Sequence, residues 1–320
     1  KVLWNVLVHK LLPYPNAGWM HAVEKRLHTL NREKPIDLII SSFSPVEAHI
    51  ASYNFLKNNT SIVWIADMRD EMASNKHIPE KTRMRLRSAE QLVNSRAQAI
   101  TTVSKPLLDD MKQIMNKVSV FEEIRNGFDH DIVPKNTSNA VFTLVYAGTF
   151  YGQIKPTIFF KGLKLFLEEH STSYKIQFLG THHNFAIPAE IAPHCEFIPP
   201  VNNLEAIEIM NNADATLLIL PFSERSGVYS GKLFDYISLQ KPIVALVDPG
   251  DVAAQLIRET NSGFIAHFNQ PEEIKTAIEN AYLVWKSGVP MKMESEQIRQ
   301  LHRKYQVKKL EELIHKLLSL

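Results

Sequence analysis

The stretch Asp214-Ala215-Thr216-Leu217-Leu218-Ile219-Leu220 runs through Pro221-Phe222-Ser223-Glu224-Arg225-Ser226-Gly227-Val228-Tyr229-Ser230-Gly231 into Lys232-Leu233-Phe234-Asp235-Tyr236. Its first part is an unbroken apolar run closed by a turn residue, the pattern of a strand buried on both faces. Its last part, from about Lys232 to Leu239, reads as the following helix, and a doubly buried strand followed by a helix belongs to a parallel sheet. Working outward toward the C-terminus, Pro242–Val247, a helix at 250–260 and Gly263–Phe268 repeat the unit. Toward the N-terminus lie Phe142–Ala147, a helix from Pro156 to Glu169, Tyr174–Leu179, a short helix near 187–192, Cys195–Ile198 and a helix at 203–211. Six strands with crossover helices make a complete doubly wound, Rossmann-like domain. Helices at 271–286, 293–303 and 306–319 follow it.

The polar run Asn136-Thr137-Ser138-Asn139 has the composition of a linker and marks a boundary. Before it stand four more apolar runs, Asp37–Ser42, Ser61–Ala66, Ala99–Val103 and Val118–Ile124, with helical or loop sequence between them. Helices at 2–11 and 17–30, separated by a turn at Pro13 and Pro15, precede them. The expected architecture is therefore α/β with two Rossmann-like domains. The divisions are 1–135, 136–305 and a C-terminal helix at 306–320.

Composition narrows the function. The 36 Lys and Arg against 34 Asp and Glu argue against a surface that tracks nucleic acid. Residues 1–135 carry 19 basic and 15 acidic side chains, so the small positive excess lies in the first domain. A single cysteine, Cys195, fits a reducing compartment. No apolar run approaches the roughly 18 residues of a membrane span, so the cytoplasm is the expected location. No His, Cys or Asp spacing suggests a metal, and His182-His183 reads as a surface dipeptide in a loop.

Ligands of open parallel sheets sit beyond the carboxyl ends of the strands, so the residues following each apolar run are the candidates for chemistry. Gly148-Thr149-Phe150-Tyr151-Gly152-Gln153-Ile154-Lys155 offers glycine amides and one cation before a helix opened by Pro156, which suits phosphate oxygens or an ordinary turn. Gly227-Val228-Tyr229-Ser230 leads into a helix N-terminus, where free amides and the positive dipole end favour an anion. Lys232 and Asp235 share one face of that helix, one for phosphate and one for ribose hydroxyls; the bland alternative is a Ser230-capped helix with solvated charges. In the first domain, His49 and the cluster Asp67, Arg69, Asp70 follow strand ends and suit either acceptor handling or packing and ion pairing. The basic run Lys81-Thr82-Arg83-Met84-Arg85-Leu86-Arg87 suits an anionic membrane surface or a solvated helix face.

Ser230-Gly231-Lys232-Leu233-Phe234-Asp235-Tyr236, with Gln240-Lys241-Pro242-Ile243-Val244-Ala245, resembles the "sKlfEYla.gkPvia" signature of glycosyltransferases of the GT-B fold, family 4. Asp67-Met68-Arg69-Asp70 is similar to the "DfRDpw" of a bacterial branch, Thr101-Thr102-Val103-Ser104 to "vitvS", Arg125-Asn126-Gly127-Phe128-Asp129 to "ipNGfD", and Tyr146-Ala147-Gly148-Thr149-Phe150-Tyr151 to "yaGtfy". The segment around His49 resembles "pp..hl.a" of the same branch. These matches keep their order from residue 67 to residue 245.

The resemblance implies a nucleotide-sugar donor, UDP or GDP favoured, bound mainly by the C-terminal domain. A glycan or lipid-linked acceptor would lie on the N-terminal domain, as in cell-surface polysaccharide or glycolipid synthesis. It implies retention of configuration with no metal and no other cofactor. Donor contacts would come from Gly148, Thr149, Tyr151, Lys155, Gly227, Val228, Tyr229, Ser230, Lys232 and Asp235, with the base near Val201. His49, Asp67, Arg69 and Asp70 would serve the reacting sugar and acceptor. Asp235 stands at the second acid of the family's Glu-x7-Glu motif, whereas the first acid is replaced by Gly227, with Glu224 nearby. Family members also open with a glycine-rich turn and further strands, so the expectation is an incomplete N-terminal domain, testable by intact mass against the encoded gene. A nucleotide-sugar 2-epimerase on the same fold and a non-catalytic nucleotide-sugar-binding protein are the alternatives.

Overall fold

The computed structural model describes residues 16–131, 133–135, 139–150, 154–220 and 227–319. The expected helix at 2–11, the Pro13 and Pro15 turn, Asn136 to Ser138, Tyr151 and Glu224 lie outside these residues. Contacts divide the chain into two compact units, one of residues 1–125, 224–228 and 307–320, the other of 126–223 and 229–306.

In the first unit, β1 (Leu38–Phe43), β2 (Val63–Met68), β3 (Ala99–Thr102) and β4 (Val120–Glu123) form a parallel sheet in chain order. Helices α1 (Ala17–Glu33), α2 (Glu47–Leu56), α3 (Glu80–Arg96) and α4 (Lys105–Ile114) alternate with the strands. The core gathers Phe55, Leu56, Trp64, Met68, Ile100 and Met111. The polar part of Trp64 is satisfied inside: its Nε1–H donates to Ser41 Oγ at 2.8 Å. Burying an indole without such a partner would forfeit part of the gain from its large apolar surface.

The second unit holds β5 (Phe142–Ala147), β6 (Tyr174–Leu179), β7 (Cys195–Ile198), β8 (Ala215–Ile219), β9 (Ile243–Val247) and β10 (Gly263–His267). All pairs are parallel, in the order β10-β9-β8-β5-β6-β7. The chain builds outward from β5 in one direction, returns to place β8 on its other side, and continues. This is the dinucleotide-fold order, and the reversal between β5 and β8 opens a crevice at the carboxyl ends. Helices α5 (Thr157–Glu169), α6 (Asn203–Asn211), α7 (Gly231–Ser238), α8 (Val252–Thr260), α9 (Pro271–Ser287) and α10 (Ser295–Gln300) cover the two faces. Phe142, Phe159, Phe166, Phe178 and Ile278 fill one face, and Val145, Leu218, Phe234, Ile237 and Ala245 the other. The last helix, α11 (Arg303–Leu318), begins in the second unit. It ends in the first, where Leu313 and Leu317 cluster with Ile65 and Ala99.

The short helix expected near 187–192 is absent; only a 3-10 turn at Ala192–His194 forms. Pro188 and Pro193 leave too little chain with free N–H groups, and the residue before a proline avoids the helical region. The helix expected at 293–303 is confined to Ser295–Gln300, and the next one starts at Arg303 rather than 306. His302 between them forms a bridge with Phe128.

Candidate functional site

In the second unit the crevice is built on the end of β5. Gly148 follows it with φ +100°, a conformation L side chains rarely adopt, and a Cβ there would stand 2.9 Å from Lys232 Cε. Glycine is therefore favoured by its own backbone, and a side chain there would have to displace the end of Lys232. Lys232, one residue into α7, donates from Nζ to the Tyr146 hydroxyl at 2.8 Å and lies 4.2 Å from the centre of that ring. Tyr146 itself is fully buried and stacks on Phe150. Burial pushes the Lys232 ammonium down to about 8. A cation with this penalty gains more from a nearby anion than a solvated one would.

α7 is pinned to the same strand end by Tyr236. Its side chain is fully buried, and the Ala147 N–H donates to its hydroxyl oxygen at 2.9 Å. Burial pushes the phenol upward, so it stays neutral. At the N-terminus of α7, Ser230 occupies the cap position with extended backbone and makes no side-chain cap hydrogen bond. The Ser230 side chain thus caps no first-turn amide, and of these amides Leu233 N–H donates to the Ser230 carbonyl at 3.1 Å. Nor does Lys232 lie in solvent.

Asp235 sits one turn further along α7 with its side chain about a third exposed. Burial is the main influence raising its carboxyl, opposed by His130 and Arg303 and reinforced by Asp129. His130 Nε2 lies 3.7 Å from Asp235 Oδ1 and 3.2 Å from Ser238 Oγ.

Among the other donor candidates, Thr149 and Lys155 are exposed and Val201 is half-buried. Tyr151 lies outside the described residues, and no contact among the described residues ties Lys155 to Lys232. Val228, Tyr229 and Ser230 are half-buried, with the Tyr229 ring set edge-on to Phe234. Gly227 groups with the first unit. It has φ +77°, and a Cβ there would meet Ser104 Oγ at 2.6 Å. No acid side chain fits at this position. His182 and His183 are exposed in the loop after β6, the latter ring stacked on Phe197.

In the first unit, Asp67 closes a row across the sheet. Its register partners are Ser42 on β1 and Thr101 on β3, and both hydroxyls donate to its carboxylate at 2.8 Å. Arg69 Nη1 lies 3.5 Å away. The two hydroxyls on either side hold the carboxylate in one rotamer at the carboxyl end of the sheet. Asp70 is half-buried close by in the chain. His49 is 1% exposed. Ser41 Oγ stands 2.7 Å from its Nδ1, Nε2 has no partner among the described residues, and burial pushes the ring down to about 4. That imidazole is neutral and enclosed. Arg83 and Arg87 of the basic run pair with Glu80, while Met84 is 59% exposed.

Tyr146, Tyr236 and His130 were not expected from sequence as site residues. Tyr236 neighbours Asp235 on α7, whereas only the fold brings Tyr146 to Lys232 and His130 to Asp235, across separations of 86 and 108 residues for the hydrogen bonds to Lys232 and Ser238. Among the described residues no group of His, Cys, Asp or Glu could hold a metal ion, and no helix is long and apolar enough to cross a membrane.

No model of a known protein family matches the chain, and no curated protein matches it in sequence. Solved structures do. A glycosyltransferase from Rickettsia africae is 12% identical with TM-score 0.64, covering 93% of this chain and 81% of its own. HepE (Alr3699) of Anabaena, solved with UDP and glucose, is 16% identical with TM-score 0.62, covering 92% and 80%. Sucrose-phosphate synthase of Thermosynechococcus elongatus is 12% identical with TM-score 0.58, covering 92% and 77%. At these identities the likeness is one of fold: α/β with two Rossmann-like domains, as in GT-B proteins.

Proposed function

We propose that the protein is a glycosyltransferase that binds a nucleoside diphosphate sugar at the carboxyl end of the second sheet and passes the sugar to a glycan or lipid-linked hydroxyl. The observation that carries this reading is Lys232: a half-buried ammonium, lowered to about 8, beside Gly148 and in the first turn of α7, whose N-cap Ser230 makes no side-chain hydrogen bond. In such a transfer the bond between the anomeric carbon and the distal phosphate oxygen breaks. The bonding pair stays on the diphosphate, the acceptor oxygen bonds to the carbon, and the acceptor's proton passes to the departing diphosphate oxygen. The leaving charge is the one a buried cation and free amides stabilise best. Asp235, a turn later on α7, accepts hydroxyls of the donor ribose, and UDP or GDP is the favoured carrier. Retention of configuration without a metal follows the family resemblance.

The Asp67 row of the first unit offers an oriented carboxylate for the acceptor hydroxyl, with Arg69 and Asp70 beside it. His49 is assigned no direct contact, since it is enclosed. The exposed Met84 among basic residues of α3 supports a peripheral contact with an anionic membrane surface on the cytoplasmic side.

A second reading is favoured by one feature. Gly227 leaves no room for the first acid of the family motif, which suits a binding protein without turnover. Titration with UDP, GDP, ADP and CMP, repeated on Asp235→Ala, together with nucleotide release from the matching sugar conjugate, tests both. Saturable binding of one nucleotide, weakened by the substitution and accompanied by release, supports the enzyme. Binding without release on any acceptor preparation supports the second reading, and no binding overturns both.

A further inference from the structure

His130 follows the Asn126-Gly127-Phe128-Asp129 segment, and its side chain is 6% exposed. The ring packs against Phe128, with centroids 5.5 Å apart, and turns Nε2 toward α7. Two acceptors stand there, Ser238 Oγ at 3.2 Å and Asp235 Oδ1 at 3.7 Å. The Ser238 hydroxyl hydrogen is already engaged, donating to the Asp235 carbonyl at 2.6 Å. Its oxygen therefore has only lone pairs to offer, and Nε2 must carry the proton. In this tautomer the N–H faces Asp235, and Nδ1 is a bare acceptor, buried without a partner among the described residues.

The neighbouring guanidinium is engaged elsewhere. Arg303 binds the Asp129 carboxylate at 2.8 Å and the Gly127 carbonyl at 3.1 Å. His302 lies edge-on to Phe128, with centroids 5.1 Å apart. Of the groups facing Asp235, His130 is the one held beside its carboxylate, at 3.7 Å, by packing on Phe128 and by its hydrogen bond to Ser238 on the same helix. It also opposes the upward push of burial on that carboxyl, with Arg303 aiding and Asp129 resisting.

We propose that His130 is a positioning residue for Asp235, holding one carboxylate oxygen so that the other is presented to the hydroxyls of a bound ribose. This rests on the reading of Asp235 as the ribose-binding acid and extends it, because His130 itself touches no ligand. A carboxylate with one oxygen held in place loses less rotational freedom on binding.

The test compares calorimetric affinities of the full chain for UDP, GDP and ADP with those for their 2′-deoxy counterparts. Wild type, Asp235→Ala, His130→Ala, His130→Gln and the double alanine variant are measured, each with a melting temperature. For the nucleotide that binds, wild type prefers the ribose form by roughly tenfold or more, the worth of a hydrogen bond to a charged group. His130→Ala lowers that preference to near the Asp235→Ala value, and the double variant lowers it no further. His130→Gln, which retains an N–H at about the place of Nε2, keeps it within about twofold.

A purely structural role would lower the melting temperature and both affinities together and leave the ratio unmoved; that result overturns the proposal. If Asp235→Ala itself leaves the ratio unmoved, the reading of Asp235 falls, and the proposal with it. A ratio that collapses in Asp235→Ala but persists in His130→Ala removes the positioning role alone.

Discussion

The charge on Lys232 makes donor binding depend on pH in a direction that can be worked out. Its ammonium lies about 8 against an ordinary 10.5, because it is buried. At about 1.4 kcal/mol per unit, the ligand-free site carries a penalty of roughly 3 kcal/mol for keeping that charge. A diphosphate at about 4 Å, in the effective dielectric of such a site, returns on the order of 4 kcal/mol, enough to hold the proton through most of the alkaline range. Affinity is therefore level below pH 8 and falls toward tenfold per unit above it, until the pKa of the bound complex is reached.

Folding runs the other way. Between the folded value near 8 and the unfolded value near 10.5, the unfolded chain binds a proton that the folded one does not, so stability from this group rises with pH across that window. The assay is a titration with the nucleotide that binds, at half-unit intervals from pH 7 to 9.5, on wild type and Lys232→Met. The ratio of the two affinities cancels ionisation of the ligand. A constant ratio across that range would refute the assignment of Lys232 as the phosphate cation, as would undiminished affinity in Lys232→Met at pH 7.

Three further substitutions probe the supports. Tyr236→Phe leaves the buried Ala147 N–H without its acceptor and is expected to cost about 1–3 kcal/mol in chemical denaturation, loosening α7 and nucleotide affinity together. Gly148→Ala imposes a Cβ on a positive φ and on the Lys232 side chain, so a loss on the order of 1–2 kcal/mol in stability and weaker nucleotide binding are expected; an unchanged protein would show that the crevice reorganises freely. Asp67→Asn keeps the shape of the row but removes its charge, and is expected to leave nucleotide affinity within about twofold while lowering turnover with acceptor by tenfold or more.

What could be read from sequence, and what could not, follows from the range of the interactions. Strands such as Ala215–Ile219 and Ile243–Val247 are buried at every residue and so appear as unbroken apolar runs, which made the α/β order legible. The expected helix near 187–192 does not form because Pro188 and Pro193 lie within or beside it and break the backbone hydrogen-bond pattern. Lys232 and Asp235 were legible as a pair because three residues on a helix bring side chains to one face whatever the fold does. Their actual neighbours are a different matter. Lys232 turns to Tyr146 on β5, and Asp235 faces His130 on the segment leading into the unit.

Those partners give each charge its character, one a depressed ammonium and the other a carboxylate held from one side. They come from chain segments that nothing in local spacing connects, Tyr146 from β5 and His130 from the segment ahead of it. A site of this kind is half written in one helix and half in the topology. For that reason the substitutions that separate binding from scaffold are those on the long-range partners, His130 and Tyr146, rather than on the motif itself.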